Sequence, residues 1–137
     1  MFAGESKITM SRKIVQSEQM PKPVGHYSHA IISNGFVFTS GQLPIVPKSG
    51  KIEASDFGGQ LRQVLDNLKT VLEASGSDLS KIVKVTVFLI DLNKFTMLNQ
   101  VFTEYFPKEP AARSAIQVSR LPLGSLVEIE AVATLEN

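Results

Sequence analysis

The sequence predicts an α+β fold: a mixed β-sheet with two helices packed on one face, in the chain order β-β-β-α-β-α-β-β. Three observations predict it. Two stretches repeat apolar residues at helical spacing, several short runs are rich in β-branched residues, and Pro and Gly fall mostly between these segments. A chain of 137 residues fits one domain and buries about two-thirds of the surface that its unfolded form exposes. No internal repeat, low-complexity tract or linker divides it. We separate a flexible N-terminal extension, residues 1–12, from a single domain, residues 13–137.

The first elements are short. Residues 30–33 and 36–40 flank Asn34-Gly35, a two-residue hairpin signal because both positions tolerate positive φ. Residues 43–51, with Pro44, Pro47 and Ser49-Gly50, read as an irregular surface loop. Asp56 is placed to cap a helix whose apolar stripe is Phe57, Leu61, Val64, Leu65, Leu68, Val71 and Leu72, and Gly76 stops it. Such a helix, about 20 residues and about 30 Å long, needs a sheet beneath its stripe.

Residues 82–90 are nearly all apolar and β-branched, the pattern of a central strand covered on both faces. A second helix, capped by Asn93 or Asp91, runs to about Phe106 with Phe95, Leu98, Phe102, Tyr105 and Phe106 as its buried stripe. Pro107 and Pro110 end it. Residues 114–119 and 126–135 are the last strands, joined by the turn-competent Leu121-Pro122-Leu123-Gly124. Short links favour antiparallel hairpins at both ends of the sheet, while helix crossovers permit parallel pairing.

Composition removes several function classes. There is no Cys, so disulfides, thiolate nucleophiles and Cys-ligated metal centres are excluded. A net charge of +1 with mixed signs offers no footprint for a phosphate backbone, so nucleic acid is not an expected partner. The longest apolar stretch, Val85 to Ile90, is too short to span a bilayer, and no membrane role is expected. Residues 1–11 lack the apolar region of a secretory signal. They read equally as a mitochondrial presequence remnant or a disordered extension, with Met10 as an alternative start. Cytoplasm or mitochondrial matrix is therefore the expected location.

The last strand points to the site. Val127, Ile129, Ala131, Ala133 and Leu135 alternate with Leu126, Glu128, Glu130, Val132 and Thr134. The first set suits packing under the helices. The second mixes carboxylates with apolar residues, as a subunit interface holding a polar pocket would. Two acids at i and i+2 on one face lie ~7 Å apart and repel, so an Arg is expected near them, and Arg113 and Arg120 are the candidates.

The run Pro110-Ala111-Ala112-Arg113-Ser114, followed by Gln117-Val118, Leu121-Pro122 and Val127-Glu128-Ile129-Glu130-Ala131-Val132-Ala133, resembles the C-terminal signature of the RidA (YjgF) family of enamine/imine deaminases, also described as L-PSP-type endoribonucleases. Further family landmarks follow in order: Gly25-His26-Tyr27-Ser28-His29-Ala30, Thr39-Ser40-Gly41-Gln42-Leu43-Pro44, Asp66-Asn67, residues 83–89, Asp91-Leu92 and Asn99. The resemblance covers the chain from about Ile14 to Leu135.

It implies a chorismate-mutase-like homotrimer with sites in the clefts between subunits. The implied activity is hydrolysis of 2-aminoacrylate, 2-aminocrotonate and their imines, which pyridoxal-phosphate-dependent Ser/Thr dehydratases release. By position, Arg113 is the carboxylate clamp and Glu128 orients or activates the attacking water. Tyr27, Ser40 and Asn99 line the cleft, and backbone groups from Arg113 through Ser114 to Ala115 help hold water or ammonia.

The residue chemistry is compatible with these roles. A planar guanidinium presents two parallel donors to a carboxylate, each charged bond being worth roughly 1.5–3 kcal/mol. A partly buried carboxylate of raised pKa moves protons for a water attacking an electrophilic carbon. Because an iminium is already electrophilic, no metal or cofactor is required. Two departures stand out. Ala115 occupies a position where many members have Cys, and His26 replaces the usual Pro before Tyr27, with His29 where relatives often have Gln.

Simpler readings exist for each residue. On spacing alone Arg113 is an ion-pair partner of Glu128 or Glu130; the motif context favours the clamp. Glu130 reads as structural, and Asn99 as a solvent-facing helix residue. His26 and His29 lack a third metal ligand and read as exposed loop residues. Gly58-Gly59 lacks the Lys of a phosphate loop and reads as close helix packing. Two other functions compete with deamination: ribonuclease or translation-inhibitor activity, and a non-catalytic trimer that binds carboxylate metabolites.

Overall fold

The computed structural model describes residues 11–135. The expectations placed on residues 1–10, a presequence remnant or a start at Met10, lie outside them. The elements are β1 (Lys13–Val15), β2 (Ala30–Ser33), β3 (Phe36–Thr39), β4 (Ile45–Val46), β5 (Lys51–Ile52), α1 (Phe57–Ala74), β6 (Ile82–Leu89), α2 (Phe95–Tyr105), β7 (Ala112–Gln117) and β8 (Val127–Thr134). Six strands form one sheet in the order β1-β2-β3-β8-β6-β7, with β6 and β7 parallel and every other pair antiparallel. Both helices pack on one face, as the sequence predicts. No helix among the described residues is long and apolar enough to cross a membrane.

Local signals account for most element ends. Asn34 and Gly35 turn β2 into β3 with φ of 54° and 81°, the two positive values that a type I′ turn requires. Asp56 caps α1 by accepting a hydrogen bond from the Gly59 N–H at 3.0 Å. At the other end Gly76 takes φ 88°, and the Ser77 N–H returns to the Leu72 carbonyl at 2.8 Å, satisfying carbonyls that the last turn leaves open.

The core lies between helices and sheet. Leu61, Val64, Leu65, Leu68, Val71 and Leu72 of α1 pack with Val37, Val85, Val87, Leu89, Val127, Ile129, Ala131 and Ala133 of the sheet. Burying each Leu or Val side chain contributes about 1.5–3 kcal/mol. Gly58 and Gly59 serve close packing: a Cβ on Gly58 would come within 3.1 Å of Met97 Sδ, and one on Gly59 within 2.9 Å of the Ala54 Cβ.

Four expectations need correction. Residues 43–51 are not irregular throughout, because β4 pairs with β5 and Gly50, at φ 73°, turns the chain between them. The last two strands do not form a hairpin: β6 lies between them, parallel to β7 and antiparallel to β8. Covering the apolar strand β6 on both edges outweighs the short link from β7 to β8. β6 is one place from the sheet edge rather than at its middle, and only its Val85, Val87 and Leu89 side is buried under the helices; Lys84, Thr86 and Phe88 face away. Finally, Asp91 caps the 3₁₀ turn Leu92–Lys94 rather than the helix itself, and Phe95 at the start of α2 is exposed.

No helix or strand among the described residues covers the sheet face opposite the helices. Ile14, Phe38 and Ile116 are exposed there beside Val132, Phe88, Glu128 and Glu130.

Candidate active site

Pairing register decides where the two central residues point. In the parallel pair β6–β7, Arg113 stands beside Val85, whose side chain is buried toward the helices. In β8, Glu128 stands beside Phe88 and alternates with the buried Val127 and Ile129. Arg113 therefore lies on the helix side of the sheet and Glu128 on the opposite side. The two do not meet within one chain.

Arg113 lies over an aromatic bed. Its Cζ is 5.2 Å from the Phe95 ring centroid and 5.0 Å from that of Phe102, both on α2. These residues are seven apart, so the helix puts them on one face. Guanidinium–π contact holds the plane of the group without consuming its N–H donors. No described carboxylate pairs with Arg113, so the ion-pair reading does not hold within the chain. Burial draws its pKa down from the ordinary value. The guanidinium opens into a 610 Å³ cavity, where Val85, Asn99, Phe102 and Ala111 are joined by Lys108 and by Pro107 and Pro110. Thr103 also lines it and donates to the Asn99 carbonyl at 2.9 Å.

Glu128 sits in a separate 280 Å³ cavity lined by Val24, Tyr27, Ser40, Gly41, Leu43 and Pro122. Its carboxylate lies directly over Gly41: a Cβ at that position would overlap Oε2 and stand 2.8 Å from Cδ. Burial, and secondarily the negative charge of Glu130, raises the Glu128 pKa. No described side chain donates to it. The surrounding backbone is held firmly. Gln42 exchanges two backbone hydrogen bonds with Ile129, at 2.7 and 3.2 Å, and the buried Asn67 amide donates to the carbonyls of Leu43 and Ile45 at 2.9 and 2.8 Å. Ser40 donates from its hydroxyl to the Ser28 carbonyl at 2.6 Å, and the Tyr27 hydroxyl accepts from the Val24 N–H at 3.2 Å.

The expected site residues thus fall into two groups. Tyr27, Ser40 and Glu128 share one cavity; Asn99 and Arg113 share the other. Ser114 and Ala115 line neither. Ser114 Oγ accepts from Lys84 Nζ at 2.9 Å, and Ala115 packs against the core. The two histidines also separate. His26 is exposed, whereas His29 is buried, its Nδ1 accepting from the Ser17 N–H at 3.2 Å and its Nε2 donating to the Pro21 carbonyl at 2.8 Å. Both ring nitrogens are occupied, so His29 holds the 17–21 segment in place rather than standing free as a ligand. Sequence reasoning missed the aromatic bed and the seat at Gly41. The seven-residue spacing of Phe95 and Phe102 was visible, but it reads as core until Arg113 is placed over it.

Comparison with known proteins identifies the family. The family model described as Endoribonuclease L-PSP matches residues 17–135. A RutC family protein of Pyrococcus horikoshii is 48% identical over 125 residues, covering 91% of this chain and 99% of its own. The human 2-iminobutanoate/2-iminopropanoate deaminase is 36% identical over 125 residues, covering 91% of each. A crystal structure of RidA from an Antarctic Psychrobacter superposes with a TM-score of 0.86 at 38% identity, covering 89% of this chain and 98% of that one. On this agreement in sequence and fold, the chain belongs to the RidA/YjgF family, the family described as Endoribonuclease L-PSP.

Proposed function

We propose that this protein hydrolyses 2-imino acids and their enamine tautomers, 2-iminobutanoate and 2-iminopropanoate among them, to 2-oxo acids and ammonia, as a homotrimer with its sites between subunits. One observation carries the reading. A guanidinium free to bind an anion and a half-buried carboxylate of raised pKa lie on opposite faces of the same sheet, so only a neighbouring copy can bring the two together. The bare sheet face with Ile14, Phe38 and Ile116 is the surface that such copies would cover.

In this reading Arg113 holds the substrate carboxylate by two parallel N–H donors, and the Phe95 and Phe102 rings fix their plane. Glu128 of a neighbouring copy accepts a proton from a water as the oxygen attacks C2. The carbon–nitrogen double bond opens to a carbinolamine. Glu128 then returns that proton to nitrogen and, as a carboxylate again, takes the hydroxyl proton of the carbinolamine as the C–N bond breaks, so that ammonia leaves as the carbonyl forms. The raised pKa suits this exchange, since burial that disfavours the charged carboxylate favours its taking up a proton from water. Tyr27, Ser40 and Asn99 shape the cleft, and the backbone from Arg113 to Ala115 assists with water or ammonia. In this reading the protein works where pyridoxal-phosphate dehydratases release its substrates, with the cytoplasm or mitochondrial matrix as the proposed compartment.

The test generates 2-aminocrotonate in situ with a threonine dehydratase and follows 2-oxobutanoate and ammonia in excess of spontaneous hydrolysis. Wild type accelerates release; Arg113→Ala and Glu128→Ala do not. A folded trimer without acceleration would refute the catalytic reading, and a monomer in sedimentation would refute the shared site.

A further inference from the structure

The Arg113 cavity holds a second cation that the hydrolysis of a simple imino acid does not use. Lys108 lines the same 610 Å³ space as Arg113, and no acidic residue does. Glu109, next in the chain, is not part of the wall, and the nearby Glu104 is engaged by Arg62 at 2.9 Å. Lys108 forms no ion pair with any described residue. It stands between Pro107 and Pro110, whose rings fix φ and limit the freedom of the backbone that carries it. Its four-carbon stem can therefore sweep the cavity from a constrained base.

Size and charge point the same way. A three- or four-carbon imino acid fills a small part of a space in the range of typical ligand pockets. One carboxylate on Arg113 would leave Lys108 facing an empty, uncompensated wall. An additional carboxylate on the substrate would fill that space and neutralise the second charge.

We infer that this cavity takes 2-imino acids bearing a second, side-chain carboxylate, the 2-iminosuccinate class, with Arg113 on the carboxylate next to the imine and Lys108 on the distal one. The inference rests on the proposed role of Arg113 as the carboxylate clamp and adds a selectivity to it. Reactions that oxidise acidic amino acids at the α-carbon would supply such imines. The hydrolysis itself is unchanged: water adds at C2, and ammonia leaves.

The experiment measures kcat/KM, above spontaneous hydrolysis, for 2-iminosuccinate and 2-iminopropanoate, generated by flavin-dependent oxidases from aspartate and alanine. Wild type, Lys108→Ala and Lys108→Glu are compared as full-length protein. The expected result is that the 2-iminosuccinate to 2-iminopropanoate ratio falls about five- to tenfold in Lys108→Ala, the range of one charged contact. It should fall further in Lys108→Glu, with the change in KM. An unchanged ratio in both variants overturns the inference. So does a wild type that accelerates 2-iminopropanoate hydrolysis but leaves 2-iminosuccinate at its spontaneous rate, an outcome that spares the deaminase reading. A wild type that accelerates neither overturns both.

Discussion

Gly41→Ala tests whether the position of the Glu128 carboxylate matters. The added Cβ would overlap Oε2 and stand 2.8 Å from Cδ and 3.1 Å from Cγ. Carbon atoms not bonded to each other settle at roughly 3.5–4.0 Å, so Cδ must retreat by about 1 Å. No hydrogen bond from a described residue holds the carboxylate, and it ends a flexible side chain, so the move costs little in folding. Gly41 is not among the glycines with positive φ, and Ala there stiffens the unfolded chain, an effect of about 0.4–1 kcal/mol in favour of folding. A misplacement of this size costs up to about 10²-fold in rate. We expect kcat for 2-iminopropanoate to fall about 10- to 100-fold while Tm stays within about 4 °C of wild type. The acid limb of the pH profile also moves. Burial raises the Glu128 pKa, so a carboxylate pushed into solvent titrates lower and the limb shifts to lower pH. In a Glu128→Ala background the same change should cost little more, because both act through one group. Full activity of Gly41→Ala with an unmoved pH profile would refute the reasoning.

Three further outcomes follow from the same geometry. Glu130→Gln removes the charge that adds to the Glu128 shift, so the acid limb of kcat/KM should move to lower pH, though burial keeps part of the shift; a stationary limb would show that the two carboxylates do not interact. Arg113→Lys keeps the charge but loses the fork and its stacking on Phe95 and Phe102, and steady-state kinetics should show kcat/KM lower by about 10- to 100-fold. Asn67→Ala leaves the buried carbonyls of Leu43 and Ile45 without their donor. Urea unfolding should register a loss of about 2–4 kcal/mol, seen as a lower midpoint at unchanged slope.

Much of the fold was legible because its signals are local. The stripe from Leu61 to Leu72, the Asp56 cap, the Asn34-Gly35 turn and the alternation of β8 each depend on residues a few positions apart, where backbone geometry alone sets which side chains share a face. The site residues were named by motif for a related reason: Arg113 and Glu128 sit in short runs whose order along the chain is visible. Strand pairing is not local. That β7 runs parallel to β6, with Arg113 beside Val85, and that β8 lies on the other side of β6, follow from the competition of all strands for one sheet. Only that register shows that Arg113 points toward the helices and Glu128 away from them. The same holds for the bed of Phe95 and Phe102, which periodicity assigns to the core and tertiary packing places beneath a cation. The sequence by itself determined the elements and the chemistry-bearing residues; the tertiary structure decided which of them share a cavity, because a side chain's face is set by its strand's partners.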